Sequence, residues 1–184
     1  MTLPDVLLVE HPWSFTDHLL KVRYSVRVYA ESDAPLAHTE DLGGLGPLVA
    51  LRRTAFSGRT AFRVALSTPA GPLLEVRKGW GAPPTEVLLP GGRALGSLRK
   101  EGGGGVGLHD AAGTRLCALA DVAGMSYRQL AKRDGARIRR DVLRLRGGLA
   151  EPVRSLAIAA GVFYDVVRGD GVNHTSGGPV DSPF

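Results

Sequence analysis

The stretch from Glu151 to Arg168, EPVRSLAIAAGVFYDVVR, constrains the fold of this chain more than any other. Pro152 suits the first position of a helix, and Gly169 follows the last apolar residue as a stop signal. The spacing therefore predicts one helix over residues 152–168. Every residue from Leu156 to Tyr164 is apolar or glycine. A helix without a polar face is buried on all sides.

The apolar run is too short to cross a membrane. It contains nine residues, whereas a bilayer-spanning helix needs about 20. Charged residues close both ends of the run, namely Arg154, Asp165 and Arg168. Small residues make the predicted helix slim, namely Ala157, Ala159, Ala160 and Gly161. We therefore expect a slim core helix around which the rest of the chain closes.

Most of the preceding chain reads as short β-strands separated by Gly, Pro and Asp clusters. The alternation is clearest after Leu19, where Val22, Tyr24, Val26 and Val28 alternate with Arg23, Ser25 and Arg27. This pattern is typical of a half-buried strand. Further strands are predicted at Val6–Val9, Leu36–Thr39, Leu48–Arg53 and Ala61–Leu66.

A repeat in the middle of the chain predicts a series of hairpins. Gly71, Gly92 and Gly113 lie 21 residues apart, each with an apolar residue five positions before it and a leucine three positions after it. Glycine supplies the positive φ that tight hairpin turns require. Asp134-Gly135 is a strong hairpin signal of the same kind, and it joins predicted strands at Met125–Arg133 and Ala136–Arg146.

These elements predict a mainly β fold, a closed antiparallel barrel of about twelve strands around the central C-terminal helix. Closure removes the edges of the sheet, and a barrel of this size is wide enough to need a filling. Residues 1–169 form a single domain in this interpretation, and the polar tail 170–184 is predicted to be disordered.

The composition narrows the cellular setting. Cys117 is the only cysteine, which excludes a disulfide framework and a thiolate metal cluster. The N-terminus has no basic region or cleavage site of a secretory signal. We therefore expect a cytoplasmic protein. The five histidines are scattered without metal-ligand spacing, so neither a metal nor another cofactor is predicted.

At this level of detail the chain resembles the superfamily of tubby C-terminal domains, plant LURP-one-related proteins and phospholipid scramblases, especially its small bacterial scramblase-like members. The resemblance runs from YSVRVYAESDAPLAHTE through the hairpins TPAGPLLEVRK, LPGGRALGSLRK and HDAAGTRLCALA to EPVRSLAIAAGVFYDVV. It implies the same twelve-stranded barrel and central helix. It also implies work at a membrane surface, because tubby domains bind phosphoinositides and scramblases are associated with calcium-dependent lipid movement.

The chain departs from the scramblases in three respects. It has no run of alternating acids with the spacing of a calcium loop, no cysteine-rich palmitoylation segment and no proline-rich leader. These departures leave calcium-triggered scrambling without support in the sequence. The shared fold also hosts different functions, so the resemblance indicates a function only by analogy.

Basic residues concentrate near the C-terminus. Residues 1–50 hold three Lys or Arg against seven acids, whereas residues 122–168 hold ten against four. The segment RDGARIRRDVLRLR carries six candidate phosphate-binding or lipid-binding residues, namely Arg133, Arg137, Arg139, Arg140, Arg144 and Arg146. Arginine forks match phosphate geometry. A second group is Arg77, Lys78, Arg99 and Lys100, at the ends of two hairpin strands. A solvated charged face is the alternative interpretation of both groups.

Other motifs carry no catalytic prediction. Gly102, Gly104 and Gly107 match the letters of a dinucleotide loop, but a strand rather than a helix follows them. Cys117 is interpreted as a small buried hydrophobe on a strand. Asp165, on an apolar helix, needs a buried partner, and we predict a structural ion pair.

Three hypotheses of function follow. The first is a non-enzymatic barrel that binds anionic phospholipid head groups at a membrane surface. The second is a ligand-binding or catalytic barrel with a pocket beside the helix. The third is nucleic-acid binding, which the lack of a recognition helix and of exposed aromatic residues disfavours. The sequence does not indicate the oligomeric state.

Overall fold

The computed structural model describes residues 3–12, 23–43, 51–52, 59–81 and 83–169. Eleven antiparallel strands form one sheet in this part of the chain, which confirms a mainly β fold. The strands are β1 (Val6–Pro12), β2 (Arg27–Ala30), β3 (Pro35–Asp41), β4 (Phe62–Thr68), β5 (Gly71–Lys78), β6 (Thr85–Leu88), β7 (Ala94–Lys100), β8 (Val106–Asp110), β9 (Arg115–Ala118), β10 (Ala123–Arg133) and β11 (Ala136–Leu145). The helices are α1 (Leu119–Val122), α2 (Val153–Val162) and α3 (Tyr164–Arg168).

The strand order is β10-β11-β1-β2-β3-β4-β5-β6-β7-β8-β9. Nine of its ten pairings join strands that follow each other in the chain. The tenth pairs β1 with β11, in a register that sets Val6 opposite Arg144 and His11 opposite Arg139. The first strand of the sequence therefore lies inside the sheet, between β11 and β2.

The predicted closure into a barrel is wrong for the described residues. The order ends at β9 and β10, and these two strands do not pair with each other. The one-turn helix α1 lies between them, and backbone N–H groups at its two ends bond within the turn instead of to a neighbouring strand. Ala123 N–H donates to the Leu119 carbonyl, and Ala118 N–H donates to the Asp121 carboxylate. Within the described ranges the sheet therefore has eleven strands, against about twelve predicted, and two strands at its ends that pair on one side only.

The sheet is strongly curved. Helix α2 contacts β11 as well as β7 and β8. Strands β11 and β7 are seven positions apart in the order, which corresponds to about 34 Å along a sheet, whereas a helix with its side chains is only about 10–12 Å wide. The sheet must therefore bend so that both strands reach the same helix.

The C-terminal apolar stretch is buried, as predicted. All residues from Leu156 to Val167 are buried. Two glycines allow the close packing. A Cβ on Gly161 would lie 2.5 Å from Leu143 Cδ2 of β11, and a Cβ on Gly96 of β7 would lie 3.1 Å from the Leu156 methyl groups.

The predicted single helix over 152–168 is two helices. Phe163, with φ −105° and ψ 25°, separates α2 from α3. Next to this break, the buried Tyr24 hydroxyl donates a 2.7 Å hydrogen bond to the Val162 carbonyl. This long-range bond gives the Val162 carbonyl oxygen a donor at the break between the two helices. Gly169 ends α3 with φ +86°, which confirms the predicted stop.

The strand predicted after Leu19 is shorter than its alternation. Tyr24, Val26 and Val28 are buried, while Arg23, Ser25 and Arg27 are exposed, as predicted. Regular pairing nevertheless begins only at Arg27. Before that point, side chains of β3 accept hydrogen bonds from the backbone N–H groups. Tyr24 N–H donates to the Asp41 carboxylate, and Val26 N–H donates to the Thr39 hydroxyl.

The predicted turns are confirmed. Gly71, Gly92 and Gly113 all have positive φ, and Asp134-Gly135 joins β10 to β11 with φ values of +50° and +79°. Strand β1 extends past the predicted Val9 to Pro12, which places Glu10 and His11 in the sheet. Most of the predicted strand Leu48–Arg53 and the whole tail 170–184 lie outside the described residues.

Candidate functional site

Strand β11 divides its arginines between the two faces of the sheet. Leu143, which packs against α2, marks the inner face, and Arg139 and Asp141 share its alternation. Val142 belongs instead to a small apolar cluster with Leu8 and Tyr29 on the outer face. Arg140, Arg144 and Arg146 share the alternation of Val142, so their side chains belong to the outer face.

Three candidate arginines of β11 and the segment that follows it are exposed, namely Arg137, Arg144 and Arg146. Within the described part of the chain none of them forms an ion pair. Arg144 lies opposite Gly124 of β10, and the space beside Gly124 is open. These three guanidinium groups are therefore accessible to an anion.

Arg133 and Arg140 are held by Glu10 of β1. Arg133 donates to both carboxylate oxygens of Glu10, at 2.6 and 2.9 Å, and to Asp33 at 2.7 Å. Arg140 contacts Glu10 Oε1 at 2.7 Å. These acids raise the pKa of Arg133, and Arg133 also stacks 3.8 Å above the Tyr29 ring. Both arginines have a structural role in tying the β10–β11 hairpin to β1.

Arg139 does not belong to the surface group predicted from the sequence. Its side chain is 2% exposed and lies on the inner face. The Nη2 atom donates to Asp165 of α3 at 2.6 Å and to Asp141 at 3.0 Å. The predicted buried ion pair of Asp165 is thereby confirmed. Arg139 was assigned to the wrong face because the sequence does not reveal which register the hairpin adopts.

His11 and Tyr24 complete this buried cluster. His11 Nε2 lies 3.5 Å from Asp141 Oδ2, and the His11 and Tyr24 rings meet edge to face at 6.1 Å. Burial and the nearby Arg139 charge lower the pKa of His11, while burial and Asp165 raise the pKa of Tyr24. Burial alone would lower the pKa of Arg139, but Asp165 and Asp141 raise it. The cluster joins β1, β11 and α3 through charges hidden from solvent.

The second predicted group is also divided. Lys78 is 4% exposed, with Nζ 6.0 Å from the centre of the Phe62 ring, and is therefore not a surface residue. Arg77 donates to Glu75, which also accepts from Arg63. Arg99 and Lys100 are exposed and form no ion pair with any described residue.

The two accessible groups lie on strands that are far apart in the sheet. Arg99 lies on the outer face of β7, since it alternates with the buried Leu98. Arg144 lies on the outer face of β11, seven positions from β7 in the strand order. The two groups therefore form two separate patches of accessible positive charge.

A groove of about 640 Å³ lies on the outer face of β5 to β8. Its lining includes Leu88, Ala94 and Ser97, two arginines, Arg77 and Arg99, and two acids, Glu86 and Asp110. The second hypothesis expected a pocket beside the helix. This groove lies instead on the face turned away from the helix.

The remaining motifs support no catalytic centre. Gly102–Gly104 form a short 3-10 turn that leads into β8, which agrees with rejecting the dinucleotide loop. Cys117 is half-buried rather than fully buried, and burial raises the pKa of its thiol. In the described ranges no three His, Cys, Asp or Glu side chains group as metal ligands, and no helix has the length and hydropathy to span a bilayer.

Sequence reasoning missed three functional partners of the arginines, namely Glu10, His11 and Asp141. A signal for them existed in VLLVEHP, because Glu10 and His11 extend the alternation of a strand past Val9. Their roles depend on the pairing of β1 with β11, which joins residues more than 120 positions apart. No local pattern indicates such a pairing.

Comparison with known proteins adds no assignment, since no protein-family model, no curated protein and no solved structure matches this chain.

Proposed function

We propose that this protein is a tubby-like, scramblase-related module that binds anionic phospholipid head groups at the cytoplasmic surface of a membrane without catalysing a reaction. The fold supports the proposal through its curved antiparallel sheet and buried C-terminal helix. We also propose that the sheet encloses that helix, as in tubby domains.

One observation carries the proposal. Arg144 and Arg146, which share the outer-face alternation, are exposed and have no ion-pair partner among the described residues, although Glu10 pairs with their neighbours Arg133 and Arg140. Arg137 is also exposed, but it shares the alternation of Arg139 and lies apart from these two. Cations near an anionic membrane contribute about 1 kcal/mol each. Arg144 and Arg146 together supply a modest, salt-sensitive attraction, which is typical of peripheral binding.

Flotation with phosphatidylserine-containing vesicles tests the proposal. The double variant Arg144→Gln/Arg146→Gln removes two accessible charges, so we expect a loss of about 2 kcal/mol, roughly 30-fold in vesicle affinity. The matched control is Arg63→Gln/Arg115→Gln, which removes two half-exposed arginines that already pair with Glu75 and Glu101. The control should bind like the parent protein.

The salt dependence and the choice of polyanion complete the test. Binding to anionic vesicles should weaken as salt rises, because screening shortens the reach of surface charges. No binding at low salt, or equal losses in the two double variants, would refute the proposal. Duplex DNA of matched charge is included, and preferential binding to DNA would favour the nucleic-acid alternative.

A further inference from the structure

We propose that the groove on the outer face of β5 to β8 is a binding site for a small zwitterion, a molecule that carries a phosphate or carboxylate together with an amine. This site is separate from the arginines of the β11 region and does not depend on lipid binding there. The inference rests on the shape of the groove, on its small and apolar lining, and on the arrangement of charges around it.

Small residues create the concavity. Ala94, Gly96 and Ser97 of β7 and Ala111, Ala112 and Gly113 of the β8–β9 turn line the groove. The volume of about 640 Å³ falls within the range of small-molecule sites. Leu88 in the lining is only 5% exposed, although it lies on the outer face. A lining of small and apolar residues with a few charged groups is the usual composition of a ligand site.

Arg99 is the cation of the groove that can meet an anionic group. Register places Arg77 opposite Glu86, and Glu86 opposite Ser97, on three adjacent strands. Arg99 follows Ser97 by two residues on the same face. Strand spacing then separates the Arg77 and Arg99 Cα atoms by about 12 Å. Arg77 Nε donates to Glu75, so Arg99 is the arginine of the groove that is left to meet an anionic group. Arg99 Nη2 reaches the β8–β9 turn, 3.7 Å from where a Cβ of Gly113 would lie.

The acids select for a positive group on the same molecule. Glu86 and Asp110 line the groove, and neither forms an ion pair with a described residue. Asp110 is oriented by the Thr114 N–H, which donates to Oδ1 at 2.8 Å. A pure anion would meet these two carboxylates at close range and be repelled. A zwitterion pairs its amine with Glu86 or Asp110 and its anionic group with Arg99, while Arg77 stays bonded to Glu75.

The test is an amide NMR titration with O-phosphoethanolamine, with inorganic phosphate and ethanolamine as partial probes. We expect saturable shifts at Glu86, Ser97, Arg99 and Gly113, with a dissociation constant of about 1 mM and much weaker binding of either partial probe. Shifts that do not saturate, or that fall on β11 instead, would overturn the proposal. If inorganic phosphate bound with the same affinity as O-phosphoethanolamine, the proposal that the ligand is a zwitterion would be wrong.

Three variants sharpen the test. Arg99→Ala should weaken the probe about tenfold or more, because a charge-assisted contact is lost. Glu86→Gln should weaken O-phosphoethanolamine but not inorganic phosphate, and unchanged binding of O-phosphoethanolamine would overturn the role of the acid. Ala94→Trp fills the groove from an exposed position and should abolish binding. Arg144→Ala, on β11, is the control that should bind normally.

The source of the zwitterion is decided by a second arm with vesicles of phosphatidylethanolamine in phosphatidylcholine. Vesicle binding that Ala94→Trp abolishes would assign the site to a lipid head group. Binding of the soluble probe alone would assign it to a free metabolite. Neither probe binding would overturn the site, while binding of anionic vesicles through Arg144 and Arg146 would be unaffected by that result.

Discussion

The guanidinium of Arg139 faces two carboxylates in the interior of the protein, Asp141 on its own strand and Asp165 on α3. Replacement by methionine keeps much of the volume but leaves both carboxylates without their cation. Breaking a buried pair in this way costs about 3–5 kcal/mol. We therefore expect Arg139→Met to lower the free energy of unfolding by that amount in urea denaturation.

Arg144→Met is the matched control for this prediction, because Arg144 lies on the same strand but on the outer face. We expect its stability to stay within about 0.5 kcal/mol of the parent protein. Similar losses in the two variants would show that the interior cluster has no special role. A double variant Arg139→Met/Asp165→Leu should regain part of the stability, since it removes a buried charge together with its partner.

His11 makes the stability depend on pH. Its pKa in the folded protein is lowered from 6.5 by burial and by Arg139, even though Asp141 and Asp165 oppose the shift. Above pH 6.5 neither state binds the proton, and stability is complete. As the pH falls below 6.5, the unfolded chain takes up the proton first, so stability decreases by at most about 1.4 kcal/mol per pH unit.

Urea denaturation at several pH values between about 5 and 7 measures this slope. The variant His11→Gln should remove most of the slope in that interval. The exposed His38 provides the control, and His38→Gln should leave the slope unchanged. If the stability of the His11→Gln variant still fell as steeply toward low pH as that of the parent protein, His11 would not be the source of the pH dependence.

Individual residues also show which features the sequence could predict and which it could not. The alternation of Tyr24, Val26 and Val28 correctly predicted which side chains are buried, because burial on a strand follows a period of two. The six arginines of RDGARIRRDVLRLR look alike in the sequence but have three environments: some are exposed, some are paired with Glu10, and one is buried. Their faces depend on the register of β11 against β1, and their partners Glu10 and His11 lie at the other end of the chain.

At the scale of the elements, Gly96 joins two strands and a helix at one point. A Cβ there would collide with the backbone carbonyl oxygen of His109 on β8 and press on Leu156 of α2. The carbonyl cannot rotate away as a side chain would, so β7 and β8 must separate. We expect Gly96→Ala to lower the free energy of unfolding by about 3 kcal/mol.

Gly124→Ala is a comparable change on strand β10, where a Cβ would meet nothing within 4 Å. We expect its thermal unfolding to match the parent protein to within about 0.5 kcal/mol. If the two alanine variants unfold alike, packing at Gly96 is looser than the structure indicates.

The elements were predicted well where local chemistry determines them. Asp134-Gly135 and the repeated glycines adopt the positive φ values that their turns require. The interruption of the helix at Phe163 was not predicted, because it lies beside a Val162 carbonyl that bonds Tyr24, 138 residues away. The open gap between β9 and β10 was missed for a similar reason, since LADV reads as part of a strand until its backbone bonds are known.

At the scale of the whole molecule, the burial of α2 limits how that helix can open. All residues of α2 from Leu156 onward are buried, and the helix contacts strands far apart in the strand order. Exposing their amides therefore requires the helix to lose its contacts with β7, β8 and β11 together. We expect the α2 amides to exchange with solvent only through global unfolding, as measured by native-state hydrogen exchange in increasing denaturant.

The edge strands provide the internal comparison in that experiment. Strands β9 and β10 each pair with only one other strand of the described chain, so about half of their amides should exchange through local opening at a lower free energy. Exchange of α2 at the same free energy as β9 would contradict a helix held by the sheet.

The position of β1 inside the sheet has a consequence for synthesis. Leu7, Leu8 and Val9 leave the ribosome before the other strands of the sheet, and β2 to β9 can assemble onto one side of them in order. The other side stays bare until residues 136–145 have been made. A product truncated before Ala136 would therefore display a naked apolar strand, which is a template for intermolecular association. Early termination of translation should yield aggregates of this protein rather than a smaller working form.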